Sequence, residues 1–95
     1  MAKGYIIASV NVTNPDAYAA YAKAASAAVA KFGGTYLVRG GRSETLEGTT
    51  RTRNVVLEFP DYQTAHDFYH SPDYTAARAL RLNAAEAAFL LVEGA

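Results

Sequence analysis

Two charged residues interrupt otherwise apolar strand patterns: Arg39 closes TYLVR, and Glu58 falls within NVVLEF. A charge on a strand face survives burial only when it is paired, solvated or neutralised. With regular alternation both residues fall on the same face of a sheet, opposite to the helices. There they form either an ion pair in a cavity wall or a ligand clamp, because an arginine with one free guanidinium edge binds a planar carboxylate or enolate through two parallel donors. In the clamp, Arg39 orients an anionic or carbonyl group, and Glu58 holds Arg39 or moves a proton. Arg53, at the entrance to the strand of Glu58, and Arg78, four residues past Tyr74, are candidates for the rim of the same pocket. The alternative for each is a solvated surface position.

Other chemistry-bearing patterns carry less. His66 and His70 are spaced to share one helix face and hold zinc. Asp67, however, stands where the metalloprotease pattern has glutamate, and the chain has 2 His and 0 Cys, so no third ligand of those types exists. No metal site is expected. Ser71 precedes Pro72 and Asp73, the pattern of a capped helix start, and it lacks the base and orienting acid of an activated nucleophile. Gly40-Gly41 is explained by a bulge or bend without an anion. No phosphate loop, catalytic triad or cofactor fingerprint is present, so cofactor-independent chemistry is expected.

The elements that must position these residues follow from periodicity. Tyr5 to Val12 alternates as a strand. Thr13-Asn14-Pro15-Asp16 starts a helix whose apolar stripe is Tyr18, Tyr21, Ala22, Ala25, Ala28, Val29 and Phe32, and Gly33-Gly34 ends it. A second strand runs from Thr35 to Arg39 and resumes as Arg42 to Glu47 beyond the two glycines. Gly48-Thr49-Thr50 turns the chain into a third strand, Asn54 to Phe59. A helix capped by Asp61 buries Tyr62, Ala65, Phe68 and Tyr69. A break at Pro72 begins another helix reaching about Ala85, with Tyr74, Ala77 and Leu80 inward. Ala87 to Val92 is the fourth strand.

Strand, helix, strand, strand, helix, strand predicts an α+β fold: ferredoxin-like βαββαβ, with a four-stranded antiparallel sheet and both helices on one face. Residues 1–95 then form a single domain. Strand parity sends Ile6, Val10, Tyr36, Val38, Val55 and Leu57 to the helices, and Tyr5, Ile7, Ser9, Leu37, Arg39, Val56 and Glu58 to the bare face. That bare set is too apolar to be simply wet and too polar to be simply core. A homodimer packed sheet to sheet around a partly enclosed cavity accounts for both properties, and an amphipathic sheet in a monomer is the alternative.

Composition agrees with a small soluble domain. Lys+Arg 9 balances Asp+Glu 9 without charge blocks, which argues against nucleic-acid binding. No apolar run approaches the ~20 residues of a membrane span, and the N-terminal residues lead into strand pattern without a signal-peptide core. Together with the absence of cysteine this suggests a cytoplasmic protein.

The segments GGTYLVRGG, LEG, VVLEFPDYQTA and FYHSPDYTAARALR, in that order, resemble the domain of unknown function 1330 family of the dimeric α/β-barrel superfamily. The resemblance spans essentially the whole chain. It implies a ferredoxin-like protomer and a homodimer whose sheets pack into a barrel. The superfamily also holds cofactor-independent monooxygenases, haem-handling enzymes and isomerases, so it implies architecture more than activity. Related motifs place an aromatic pair around a Ser-Pro helix start, which makes Tyr69, Ser71 and Tyr74 candidate contacts to a small, anionic or aromatic substrate. For the two tyrosines, packing with polar tips is the alternative. A non-catalytic binding or assembly module is the rival to an enzyme.

Overall fold

A computed structural model describes residues 2–95. The chain runs β1 (Gly4–Val12), α1 (Pro15–Lys31), β2 (Thr35–Arg39), β3 (Arg53–Phe59), α2 (Tyr62–Tyr69), α3 (Pro72–Arg81) and β4 (Ala85–Glu93). One antiparallel sheet of order β2-β3-β1-β4 results. This is the expected ferredoxin-like βαββαβ arrangement, its second helical region divided at Pro72.

Local chemistry sets the helix starts. Asn14, Asp61 and Ser71 each accept an N–H three residues on, from Ala17, Thr64 and Tyr74, so every helix has one orphan donor satisfied by a cap. Two hydrogen bonds from Thr64, one from its backbone and one from its side chain, hold the Asp61 carboxyl below the usual carboxylate range. Gly33 ends α1 in the left-handed region, at φ 72°.

The helices cover one sheet face. Ile6, Ala8 and Val10 of β1 and Leu57 and Phe59 of β3 meet the buried stripe Tyr18, Tyr21, Ala25, Ala28 and Val29 of α1. Phe68 of α2 closes the core, its ring centroid 4.9 Å from those of both Phe59 and Tyr74. Burying a side chain of that size contributes about 1.5–3 kcal/mol.

Four details depart from the sequence reading. First, residues 42–47 form no strand. Gly40, at φ 68°, turns the chain away from the sheet after its N–H reaches the Asn54 carbonyl at 2.8 Å. The following residues have only Leu46 as a large apolar side chain, and it is exposed, so no buried face rewards continued pairing.

Second, α3 stops at Arg81 and β4 starts at Ala85, rather than near Ala85 and Ala87. Ala84 is the cause. It is fully buried, its N–H donates to the Arg81 carbonyl, and its own carbonyl accepts from Thr13 and Asn14 at 2.8 and 3.0 Å. The turn is thereby fixed, and Ala85 is brought opposite Val12.

Third, the inward stripe of α3 is Tyr74, Ala77 and Arg81, while Leu80 is exposed. On α2, Tyr62 is likewise exposed and Ala65 and Phe68 carry the burial.

Fourth, β2 contains a bulge. Tyr36 lies opposite Leu57, but Val38 lies opposite Val56 and Arg39 opposite Val55. Leu37 is the extra residue, and side-chain parity inverts beyond it. Arg39 therefore shares the helix-covered side with Tyr36, and Val38 passes to the bare side. Arg39 and Glu58 are not on one face, contrary to the expectation from regular alternation.

Candidate functional site

A cavity opens between α1 and the sheet on the helix-covered side, not on the bare side where the sequence reading located it. Tyr18 and Tyr21 come from α1, Tyr36 and Arg39 from β2, Arg53 from β3, and Tyr74 from α3. Alanines, valines and Phe68 and Phe89 complete the wall, and the enclosed volume is about 30 Å³, opening to solvent at the mouth. The small side chains of Ala22 and Ala25 leave this gap where larger residues would seal α1 onto the sheet.

The arginines stand at the exposed end. Arg39 donates from Nη2 to Ser26 Oγ at 2.8 Å and lies over the Tyr36 ring, 4.3 Å from its centroid. Ser26 spends its one hydrogen on the Ala22 carbonyl at 2.9 Å, so the Tyr36 hydroxyl, 3.2 Å away, must donate to Ser26. Ser26 is thus saturated as an acceptor, and the remaining N–H groups of Arg39 have no protein partner among the described residues.

Arg53 lies over the Tyr18 ring at 5.5 Å, and its buried Nε has no hydrogen-bond partner. Its guanidinium fits against the bare backbone of Gly40, where a Cβ would fall 2.2 Å from Nη1. Among the described residues, the ion pairs are Lys3 with Glu58, Lys31 with Asp73 and His66 with Asp67. No carboxylate neutralises Arg39 or Arg53, and none lines the cavity.

At the closed end the hydroxyls of Tyr21 and Tyr74 are 2.8 Å apart and hydrogen-bonded. Burial pushes the pKa of both phenols up, so both stay protonated at neutral pH. Arg81 is buried behind them, its guanidinium 4.4 Å from the Phe89 centroid and 5.5 Å from that of Tyr21.

The remaining candidates lie elsewhere. Glu58, on the bare face, accepts from the Tyr5 hydroxyl at 3.0 Å and pairs with Lys3 at 3.7 Å. That hydrogen bond pushes the Tyr5 pKa above its ordinary value. Arg78 is exposed and does not line the cavity; Arg81, one turn closer to the core, takes the inward place. Ser71 Oγ donates to the Phe68 carbonyl at 2.7 Å and accepts from Tyr74 N–H at 3.1 Å, a cap with its hydrogen already used. Tyr69 stacks near Tyr74 and Phe89 and borders a separate pocket of about 180 Å³ with His70 and Leu90. His66 and His70 lie ring to ring at 4.4 Å, and no group of three or more metal-ligating side chains occurs among the described residues.

Tyr18, Tyr21 and Arg81 escaped the sequence reading as site residues. The two tyrosines were visible in the apolar stripe of α1, where their hydroxyls were the unused signal. Arg81 was marked by its spacing, four residues beyond Ala77.

The bare face has the opposite character. Val38, Val56, Ile7 and Leu90 stand opposite one another in a row across all four strands, and Val38, Ile7 and Leu90 are 42%, 39% and 57% exposed.

Residues 3–95 match the sequence profile of the domain of unknown function (DUF1330). The chain belongs to this family. No functionally curated protein matches it. Among solved structures, a protein of unknown function from Rhodopseudomonas palustris is similar over 96% of this chain and 81% of its own, with 20% identity and a TM-score of 0.72. SnoaB, a cofactor-independent oxygenase from Streptomyces nogalater, is similar over 97% and 92%, with 10% identity and a TM-score of 0.63. A dimeric protein of unknown function and ferredoxin-like fold from Bacteroides fragilis is similar over 97% and 95%, with 16% identity and a TM-score of 0.62. At these identities the likeness concerns the fold.

Proposed function

We propose that this DUF1330 protein is a cytoplasmic homodimer that binds a small anionic or aromatic molecule in the cavity under α1 and acts on it without a cofactor. The observation that carries the reading is the pair Arg39 and Arg53: two guanidinium groups on one tyrosine-lined cavity, with no carboxylate to neutralise them. Arg39 is exposed and hydrated, whereas Arg53 is half-buried with an unpartnered Nε. An anion entering the mouth meets both, through charge-assisted bonds roughly twice as strong as neutral ones. The apolar row on the bare face supports the dimer, since one protomer leaves it in water. The similar structures described as dimeric, and SnoaB as a cofactor-independent oxygenase, fit the same reading.

Benzoate titrated into the protein and followed by amide NMR shifts is expected to perturb residues around Arg39, Arg53 and Tyr18. Arg39→Ala and Arg53→Met should each weaken binding about tenfold while the fold is kept. Unchanged affinity in both variants would refute the site. In sedimentation velocity the native chain should run as a dimer and Ile7→Glu as a monomer.

The rival reading, an assembly module without turnover, draws on the bare-face row alone. It predicts that benzoate does not bind and that only Ile7→Glu has a phenotype.

A further inference from the structure

Building on the anion-binding reading of this cavity, we propose that its closed end is an oxyanion site. Tyr21 and Tyr74 form it, with Arg81 as a positioning residue behind them. The ligand then carries, besides its anionic group, a second oxygen that accepts hydrogen bonds: a carbonyl, enolate or phenolate oxygen.

The reasoning is a count of hydrogens. Two phenols own two, and their mutual bond uses one. No acceptor for the second occurs among the described residues, because the polar group packed against the pair is Arg81, which can only donate. Whichever hydroxyl donates to the other, one hydrogen is left over at a position 93–99% buried, with Tyr21 7% and Tyr74 1% exposed. A surplus buried donor is expensive to leave unmet. Both residues line the cavity, so an oxygen inside it is within the pair's reach.

Arg81 gives the same polarity from behind. It is 6% exposed, its Nε is buried and unpartnered, and no carboxylate of the described residues pairs with it. The Phe89 and Tyr21 rings flank its guanidinium, and the carbonyls ending α3 offset part of its charge. What remains is a positive potential at the phenol pair, which favours an electron-rich oxygen there.

The two ends together define a ligand class. Arginines at the mouth take a carboxylate-like group, and the phenol pair takes an oxygen at the other end of the same molecule. Since the enclosed volume is about 30 Å³, α1 must move off the sheet to admit a flat, apolar body between them. A hydroxyaryl or oxo acid has that form. Since no carboxylate lines the cavity, its two arginines can only donate, and the phenol pair has a hydrogen to spare, the closed end favours the anion of an ionisable hydroxyl.

The experiment compares 4-hydroxy-3-nitrobenzoate with 3-nitrobenzoate, using the native dimer at a pH below the free phenol's midpoint. The hydroxylated probe is expected to bind about tenfold more tightly, and its visible phenolate band should grow on binding. The Tyr21→Phe/Tyr74→Phe double variant replaces both partners by apolar rings of the same shape, so the fold is retained. It should lose the tenfold advantage and the band while keeping 3-nitrobenzoate affinity. Arg81→Met should shrink the band with both phenols present.

Equal binding of the two probes, or a band undiminished in the double variant, would overturn the oxyanion site and leave the arginine site standing. Failure of both probes to bind would overturn the arginine site, and this inference with it.

Discussion

The two faces of the sheet treat charge in opposite ways. On the bare face, Glu58 is answered by the Tyr5 hydroxyl and the Lys3 ammonium, and an apolar row crosses the four strands beside polar positions such as Ser9 and Asn54. On the covered face, Arg39, Arg53 and Arg81 have no carboxylate partner among the described residues and stack on aromatic rings instead. A satisfied face with excess apolar surface is suited to another protein surface. A face of surplus donors around a gap is suited to a small anion. The contrast depends on one inserted residue, because the bulge at Leu37 moves Arg39 from the first environment to the second.

Three substitutions sharpen this contrast. The largest effect is expected from Phe68→Ala. It empties the centre of the covered face and should lower stability by about 3–5 kcal/mol in denaturant unfolding, whereas Ile7→Glu on the bare face should alter association far more than protomer stability. A loss below about 1 kcal/mol for Phe68→Ala would contradict the packing described.

Gly40→Ala comes next. An L residue at φ 68° costs about 1–2 kcal/mol, and the new methyl group would also displace the end of the Arg53 side chain. Thermal unfolding should report the strain, and benzoate titration should report a weaker site. Full affinity in a stable Gly40→Ala protein would show that the seat of Arg53 is irrelevant.

The smallest effect concerns pH. The Asp61 carboxyl is held below its unfolded value, so its contribution to stability is complete above the ordinary carboxylate range, and is lost as pH falls through the lowered folded value. Asp61→Asn should flatten that part of the stability profile measured by denaturant titration between about pH 5 and pH 2. Because this cap lies away from both faces, benzoate affinity at neutral pH should not change.

Most of the fold was legible because local and tertiary signals agree. Asn14-Pro15, Asp61 and Ser71-Pro72 each announce a helix start, and the caps form as written. The site was only half legible. Alternation assigned Tyr36 correctly but failed for Val38 and Arg39, because nothing in TYLVR marks Leu37 as the residue the ladder leaves out. The tyrosines of α1 read as packing, and they do pack. They also line a cavity, because the alanines beside them leave a space that periodicity cannot reveal. Apolar spacing sends Leu80 inward, but Arg81 takes that place, and burial of an arginine, uncommon elsewhere, is made tolerable by aromatic rings on two sides.

The central place of β1 has a consequence for synthesis. Its neighbours are β3 and β4, and its outer ladder joins Gly4 to Glu93, a pairing between segments far apart in sequence. A ribosome releases the first strand long before the last, and the N–H groups of Thr13 and Asn14 wait for the Ala84 carbonyl in the same way. Until β4 has been made, one edge of β1 has no partner strand, so closing the sheet waits on a long-range pairing, the slow kind of contact in folding.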